Sequence, residues 1–227
     1  MTRARVRLFG ALAVSLLSMS CASAGGSEAI FKPMSFRSPQ LDFSKVQAMA
    51  IMPINATTDE VPELTALIND GLPSELKRSQ SAWKILGHDE VLRTLNDKGL
   101  GRGYQNYLAD LNTYSMVAGT TPNFTAETKT FFSEIKKEMK IEAILFTSYG
   151  FKEETVVQPA LFGMVNVPVQ RKVLTVSVIL YEISSQRTWW VSKLTVQSTG
   201  KQRNADLAAE VLKGIANSFG KGDLRQL

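Results

Sequence analysis

Apolar and polar side chains alternate along residues 171–198, which read RKVLTVSVILYEISSQRTWWVSKLTVQS. In the first half, one face carries Leu174, Val176, Val178 and Leu180. In the second half, after a polar turn at residues 184–187, one face carries Trp190, Leu194 and Val196. Alternation with a period of two on both sides of a turn predicts a long antiparallel β-hairpin near the C-terminal end of the chain.

Three earlier apolar runs have the length of strands, and they cover residues 46–54 (VQAMAIMPI), 83–86 (WKIL) and 143–151 (AILFTSYGF). Apolar residues recur at helical spacing in five further segments, at about residues 62–76, 91–95, 104–117, 125–140 and 205–219. The order is strand, helix, strand, three helices, strand, hairpin, helix. It predicts an α/β fold: a single sandwich domain with one mixed β-sheet, helices packed on it and the long C-terminal antiparallel hairpin.

The first residues have the composition of an export signal. Three arginines precede an apolar run at residues 8–17, and small residues surround Cys21, the only cysteine of the chain. The run is shorter than the ~20 residues of a transmembrane helix. Residues 1–20 resemble a bacterial lipoprotein signal peptide, and we expect Cys21 to carry fatty acyl groups as the new N-terminus. The alternative is ordinary cleavage after Ala24, which would give a soluble periplasmic or secreted protein.

The next segment, residues 21–43, contains glycine, serine and two prolines and predicts a flexible tether after the lipidated cysteine. The alternative is that residues 31–36 dock on the domain or on a partner. We expect the periplasmic α/β domain over residues 44–222. Because Ala22 rather than Asp follows Cys21, we expect the lipid to hold the protein at the periplasmic face of the outer membrane.

The charge balance does not favour binding to nucleic acid. The chain has 26 basic and 21 acidic residues, but three basic ones lie in the expected signal, so the remainder carries only about +2. One cysteine and one histidine exclude disulfides, thiol catalysis and Cys-rich or His-rich metal sites. His88 stands beside two acids and could be a general base, but acids are also favoured at helix starts. We expect no cofactor, no metal and no catalytic residue.

Residues 153–169 are unusually apolar for a connection between two strands. From residue 154 they read ETVVQPALFGMVNVPV, and such a patch, when exposed, commonly marks an interaction site. The candidate partner contacts in this segment are Leu161, Phe162, Met164 and Val165. We expect Pro159 and Pro168 to break strands here, which disfavours a membrane-spanning hairpin. A hairpin tip that contacts a partner, or that packs over the sheet, fits the segment better.

Trp189 is the fifth candidate contact. Neighbouring residues of a strand face opposite sides of the sheet, so one of Trp189 and Trp190 is expected to point away from the core. An exposed tryptophan is often a hot spot of a protein interface. The equally weighted alternative is that the outer indole packs under the last helix or under residues 153–169.

Several pieces of the chain, taken in order, resemble a family of periplasmic modules. They are VQAMAIMPI, a helix ending in PSELKRS, WKILGHDEVLRTL, AILFTSYGF and LYEISSQRTWWVSKLTV, within residues 46–219. The family includes the curli-secretion lipoprotein, lipoprotein activators of penicillin-binding proteins and the N-terminal domain of the Tol-system translocation protein. The resemblance implies a protein that binds other envelope proteins, with no catalytic residue among the matched positions.

These observations predict a non-enzymatic, lipid-anchored outer-membrane protein that binds and supports another cell-envelope protein or complex. Two alternatives come from other classes. One is an oligomeric secretion-channel subunit like the curli-secretion lipoprotein, which would form a symmetric oligomer in detergent. The other is a secreted soluble hydrolase, which would need two acids facing a cleft.

Overall fold

The computed structural model describes residues 29–30, 34–42, 46–56, 61–113, 122–160, 165–199 and 202–224. The helices of this part are α1 (Pro62–Ser79), α2 (His88–Asp97), α3 (Gly101–Thr113), α4 (Ala126–Met139) and α5 (Asn204–Ser218). The strands are β1 (Ala29–Ile30), β2 (Met34–Arg37), β3 (Ala48–Ile51), β4 (Asn55–Ala56), β5 (Lys84–Leu86), β6 (Ala143–Ala160), β7 (Val165–Glu182), β8 (Arg187–Thr199) and β9 (Asp223–Leu224).

The strands form one mixed sheet in the order β5-β3-β6-β7-β8-β2-β9, with β1 added to β8 and β4 added to β6. β7 and β8 pair antiparallel, which confirms the predicted C-terminal hairpin. β6 and β7 pair antiparallel from Ala143 opposite Glu182 to Ala160 opposite Val165. β3 pairs parallel with both β5 and β6. The predicted α/β class, with one mixed sheet and helices packed on it, is confirmed.

One face of the sheet is covered by α1 and α5 and is called here the α1/α5 face. The helices turn their apolar stripes toward it, and the strands contribute every second side chain. The fully buried members of this core include Leu64, Ile68, Leu72, Leu145, Val176, Leu194, Val211 and Ile215. These side chains account for the predicted spacing of three and four in both helices.

The opposite face, called here the α2–α4 face, carries a core rich in aromatic rings. The ring of Tyr107 lies 5.7 Å from that of Phe146, and the ring of Phe132 lies 5.8 Å from that of Tyr181. α3 begins at Gly101 rather than at residue 104 as predicted. Gly103 allows α3 to approach α4 closely, because an added Cβ would lie 2.6 Å from Cδ2 of Phe131.

Part of the predicted tether belongs to the sheet. β2 pairs antiparallel with β8, with Met34 opposite Lys193 and Arg37 opposite Trp190, and the hydroxyls of Ser35 and Ser192 are 2.8 Å apart. The prediction of a flexible tether over residues 21–43 is therefore wrong for Met34–Arg37. Main-chain pairing with β8 on one side and with β9 on the other holds this segment, and the alternative of docking on the domain applies to it.

Candidate functional site

Within the described residues, the sheet narrows to two strands at one end. The last described pair of β8 with β7 is Thr199 opposite Arg171, and the last described pair of β4 with β6 is Ala56 opposite Tyr149. β6 and β7 continue together from there to the pair Ala160 and Val165. We call residues 155–160 and 165–170 the distal hairpin. Six residues on each strand, at about 3.3 Å per residue, give it a reach of roughly 20 Å.

One face of the distal hairpin is apolar and exposed. The register places four valines on the α2–α4 face of the two strands, and they are Val156, Val165, Val167 and Val169. Val165 is 45% exposed and Val167 is 39% exposed, and on the other face Val157 is 64% exposed. Val156 and Val169 are half-buried. All four valines occupy strand positions equivalent to those of the core, but no helix of the described chain covers them. They form a partly exposed apolar surface that projects from a packed domain.

Charged side chains end where the distal hairpin begins. Its twelve residues contain no charged side chain, whereas its base has three ion pairs. Nε of Arg171 donates to Oε1 of Glu154 at 2.7 Å, Nζ of Lys152 lies 3.0 Å from Oε2 of Glu154, and Nζ of Lys172 lies 3.4 Å from Oε1 of Glu153. Hydrogen bonds from Arg171 and then Lys152 hold the pKa of the Glu154 carboxyl below its usual range. The base is thus charged and solvated, and the end is uncharged.

The prolines do not break the strands, so that expectation is wrong. Pro168 lies opposite Val157 and Pro159 lies opposite Asn166, within a continuous ladder. These two pairs are two residues apart along an antiparallel ladder, so either both exchange backbone hydrogen bonds or neither does. In a pair that exchanges no hydrogen bonds, the N–H points to the outer edge, where proline costs no ladder bond. The chain therefore forms a longer hairpin than predicted.

Of the candidate partner contacts in residues 153–169, the structure describes only Val165. Val165 lies on the exposed apolar face. Leu161, Phe162 and Met164, like the lipidation candidate Cys21, lie outside the residues that the structure describes. Val156, Val167 and Val169 were missed as candidates, although the alternation VNVPV, which begins at the candidate Val165, would have found the two on β7.

Trp189 is buried, with 8% of its surface exposed, and Trp190 is fully buried. Both indoles belong to the core on the α1/α5 face. Leu180 lies opposite Trp190 and Tyr181 lies opposite Thr188, so Trp189 is the extra residue of a β-bulge. The bulge interrupts the alternation of side chains. The expected outward orientation is wrong, and a partner contact through Trp189 stays a prediction.

The N-terminal segment enters the fold at the base of the distal hairpin. Ala29 lies opposite Gln197 of β8, and Gln197 lies opposite Val173 of β7. β1 runs antiparallel to β8, so Ala29 is the end of β1 on the side toward which the distal hairpin projects. Residues 21–28 lie outside the described part of the chain, and eight residues can span at most about 28 Å. Cys21 therefore lies within about 28 Å of Ala29.

His88 lies at the start of α2 in a group with Asp70 of α1 and Asp89. One possible ligand atom from each lies within 4.8 Å of the others, and Nε2 of His88 is 3.2 Å from Oδ1 of Asp89. The sequence did not point to Asp70, which is 18 positions from the histidine. Both carboxylates are exposed to water.

A groove of about 610 Å³ lies at the ends of β3, β5 and β6 remote from the distal hairpin, and Trp83, Lys84, Lys140 and Glu142 contribute to its walls. The acid in this lining is engaged by the backbone. Oε2 of Glu142 accepts hydrogen bonds from the N–H groups of Ala48 at 2.8 Å and Gln47 at 3.3 Å. Glu142 therefore holds the N-terminal end of β3 in place.

Among the helices that the structure describes, none is both long enough and apolar enough to cross a bilayer. No family model and no curated protein matches the sequence.

Solved structures resemble the fold. The PelC dodecamer from Paraburkholderia phytofirmans matches with a TM-score of 0.47 and 11% identity, over 83% of this chain and 96% of that one. Lipoprotein GNA1162 from Neisseria meningitidis matches with a TM-score of 0.44 and 10% identity, over 76% of this chain and 97% of that one. Because these TM-scores are below 0.5, no function is transferred from either structure. Neither protein is one of the three examples given above for the periplasmic family, so the resemblance to that family stays a prediction.

Proposed function

We propose that this protein is a non-enzymatic lipoprotein of the bacterial envelope, held by acyl groups on Cys21 at the periplasmic face of the outer membrane. Its α/β domain binds and supports another envelope protein, and the distal hairpin is the docking element. The observation that carries the proposal is the exposed, uncharged apolar face of the distal hairpin, which includes Val165 and Val167 at 45% and 39% exposure.

Burial of that face by a partner would be favourable. A valine gains about 1.5 kcal/mol or more when it is fully buried, so half-exposed valines contribute of the order of 1 kcal/mol each. Because about 1.4 kcal/mol corresponds to a factor of ten in affinity, a few such side chains carry a useful part of a binding energy. A hairpin whose two strands are already paired also loses less conformational entropy on binding than an unstructured segment does.

Two features favour a binding protein over a hydrolase. The pKa values of the Glu138, Glu154 and Asp206 carboxyls are held below their usual range by hydrogen bonds from Lys98, Arg171 and Arg203 respectively. A hydrolase that uses carboxyl groups needs one with a raised pKa as proton donor. In addition, the acid lining the described groove is engaged by the backbone of β3.

The test compares Val167→Asp with Asn166→Asp in the full lipidated chain. Both variants add one negative charge to adjacent residues of the same strand, but only Val167 lies on the apolar face. We expect Val167→Asp to lower recovery of the envelope partner at least tenfold in affinity capture followed by mass spectrometry, because a charge in the contact is left without solvent. Asn166→Asp should leave recovery unchanged.

A third variant, Cys21→Ala, tests the anchor separately. It should move the protein from the membrane fraction to the soluble periplasm, because the acyl groups would be missing. Equal recovery with Val167→Asp and Asn166→Asp would rule out docking through this face, and a Cys21→Ala protein that stays in the membrane fraction would rule out the anchor.

A further inference from the structure

The backbone of the distal hairpin has two outer edges that differ in hydrogen-bonding capacity. Two backbone hydrogen bonds define which residues of β6 face away from β7. The N–H of Ile183 donates to the carbonyl of Glu142 at 3.1 Å, on the side of β7, and the N–H of Met52 donates to the carbonyl of Leu145 at 3.0 Å, on the opposite side. The β6–β7 register continues without a shift to Ala160. Odd-numbered residues of β6 therefore direct their backbone groups away from β7.

On the outer edge of β6, three residues in succession offer both N–H and C=O: Glu153, Thr155 and Val157. Among the described strands, the last to pair with β6 on that side is β4, opposite Tyr149. Thr155 and Val157 are exposed. This stretch, residues 153–157, is called here the β6 edge, and it can accept another strand.

The outer edge of β7 is interrupted. By the same register its outward residues are Asn166, Pro168 and Gln170. Pro168 stands in the middle and has no N–H to donate, which is a common way in which proteins protect an edge from pairing. Pro159 is likewise an outward residue of β6, and it ends the run of donors after Val157. The two edges therefore differ in where the proline stands. The β6 edge presents three consecutive outward donors before its proline, whereas Pro168 divides the β7 edge.

The position of the anchor limits where a partner can be. Residues 21–28 reach at most about 28 Å from Ala29, which pairs at the base of the hairpin, and the distal hairpin itself extends roughly 20 Å from that base. A lipid on Cys21 therefore keeps the β6 edge close to the membrane surface.

Hydrocarbon cannot satisfy the β6 edge. Unpaired backbone N–H and C=O groups cost several kcal/mol each in the apolar part of a bilayer, so open sheet edges do not occur there. A protein that offers an extended strand satisfies the same groups and can cover the adjacent valines at the same time.

We infer that the β6 edge, at residues 153–157, receives an extended strand from a protein that resides in the membrane holding the lipid anchor. The inference rests on the proposed function and names its partner as a membrane-resident protein bound by strand addition. The strand continues the sheet beyond β6 and lies beside the apolar face of the distal hairpin.

The experiment places a photo-crosslinking amino acid at Val157 of the full lipidated chain in cells and compares three further changes. Thr155→Pro removes the central outward N–H, at a position of the same kind as Pro159 and Pro168, which the hairpin already tolerates. Thr155→Val removes the hydroxyl, and with it the hydrogen bond from Nε2 of Gln170, but keeps the N–H. Gln170→Pro introduces a proline on the outer edge of β7, at the residue that lies opposite Thr155.

We expect an adduct with a membrane protein that resists carbonate extraction. It should persist in Thr155→Val and Gln170→Pro and fall at least tenfold in Thr155→Pro. Equal adducts in Thr155→Pro and Thr155→Val would overturn the inference. So would an adduct with a soluble protein, with a second copy of this chain or with lipid alone.

Thermal unfolding checks that each variant is folded. If Thr155→Pro fails to fold, the crosslinking amino acid is placed at Glu153 instead, and Val157→Pro is compared with Val157→Thr. The adduct should then fall in Val157→Pro and persist in Val157→Thr, and equal adducts would again overturn the inference. Loss of the partner in Val167→Asp together with its retention in every proline variant would reject strand addition but leave the proposed function standing. Retention in all variants would reject both.

Discussion

The two halves of the β6–β7 hairpin share one ladder and differ in what covers them. In the proximal half, which comprises residues 143–151 and 174–182, Leu145, Phe146 and Val176 are fully buried. In the distal hairpin, Val157 is 64% exposed and Val165 is 45% exposed. The backbone pairing is the same, so the hydrogen bonds do not distinguish them. Stability resides where helices cover the strands, and the uncovered half is available for binding.

The largest effect is expected from Phe146→Ala in the proximal half. Phe146 is fully buried, and its ring lies 5.3 Å from that of Phe124 and 5.8 Å from that of Tyr181. Truncation should lower the free energy of unfolding by about 3–5 kcal/mol, because it removes apolar contacts and leaves a cavity. Urea unfolding measures it. A loss below about 1 kcal/mol would mean that this core is not packed as described.

Two equivalent substitutions on β7 compare the stability contributions of the proximal half and the distal hairpin directly. Val176→Ala should cost about 2 kcal/mol, from about 0.8 kcal/mol per lost methyl group plus the cavity. Val167→Ala removes the same atoms from a side chain that is 39% exposed and should change stability by less than about 0.5 kcal/mol. Equal losses in urea unfolding would show that the distal hairpin is covered in the isolated protein.

The smallest effect is visible only at high pH. Burial, followed by the charge of Glu182, raises the pKa of Tyr181 to about 12. A tyrosine that ionises more readily in the unfolded chain contributes stability below pH 10, which is lost as the pH rises from about 10 to about 12. Tyr181→Phe should make that decline shallower in urea unfolding at stepped pH. An identical decline in both proteins would show that Tyr181 titrates normally in the fold.

The sequence was sufficient for the α/β class and for the β7–β8 hairpin, because each strand or helix shows its own period. It was insufficient at three places. β6 extends to Ala160, whereas the pattern predicted an end near residue 151. Met34–Arg37 forms a strand within the predicted tether. Trp189 is buried because the bulge between β7 and β8 turns it toward the core. Each depends on the register with a neighbouring strand, and for Met34–Arg37 that strand, β8, is distant in the chain.

Local chemistry by itself thus predicted the export signal and the candidate lipid site at Cys21, and it indicated the helix stripes and the uncharged segment between Glu154 and Arg171. These properties belong to neighbouring residues and need no partner. The tertiary structure alone decided that the backbone nitrogens of the two prolines point to the outer edges, that β1 enters beside the hairpin base and that no described strand pairs with the β6 edge. Backbone groups point toward or away from a neighbouring strand according to the register, and the register is set only when the whole sheet assembles.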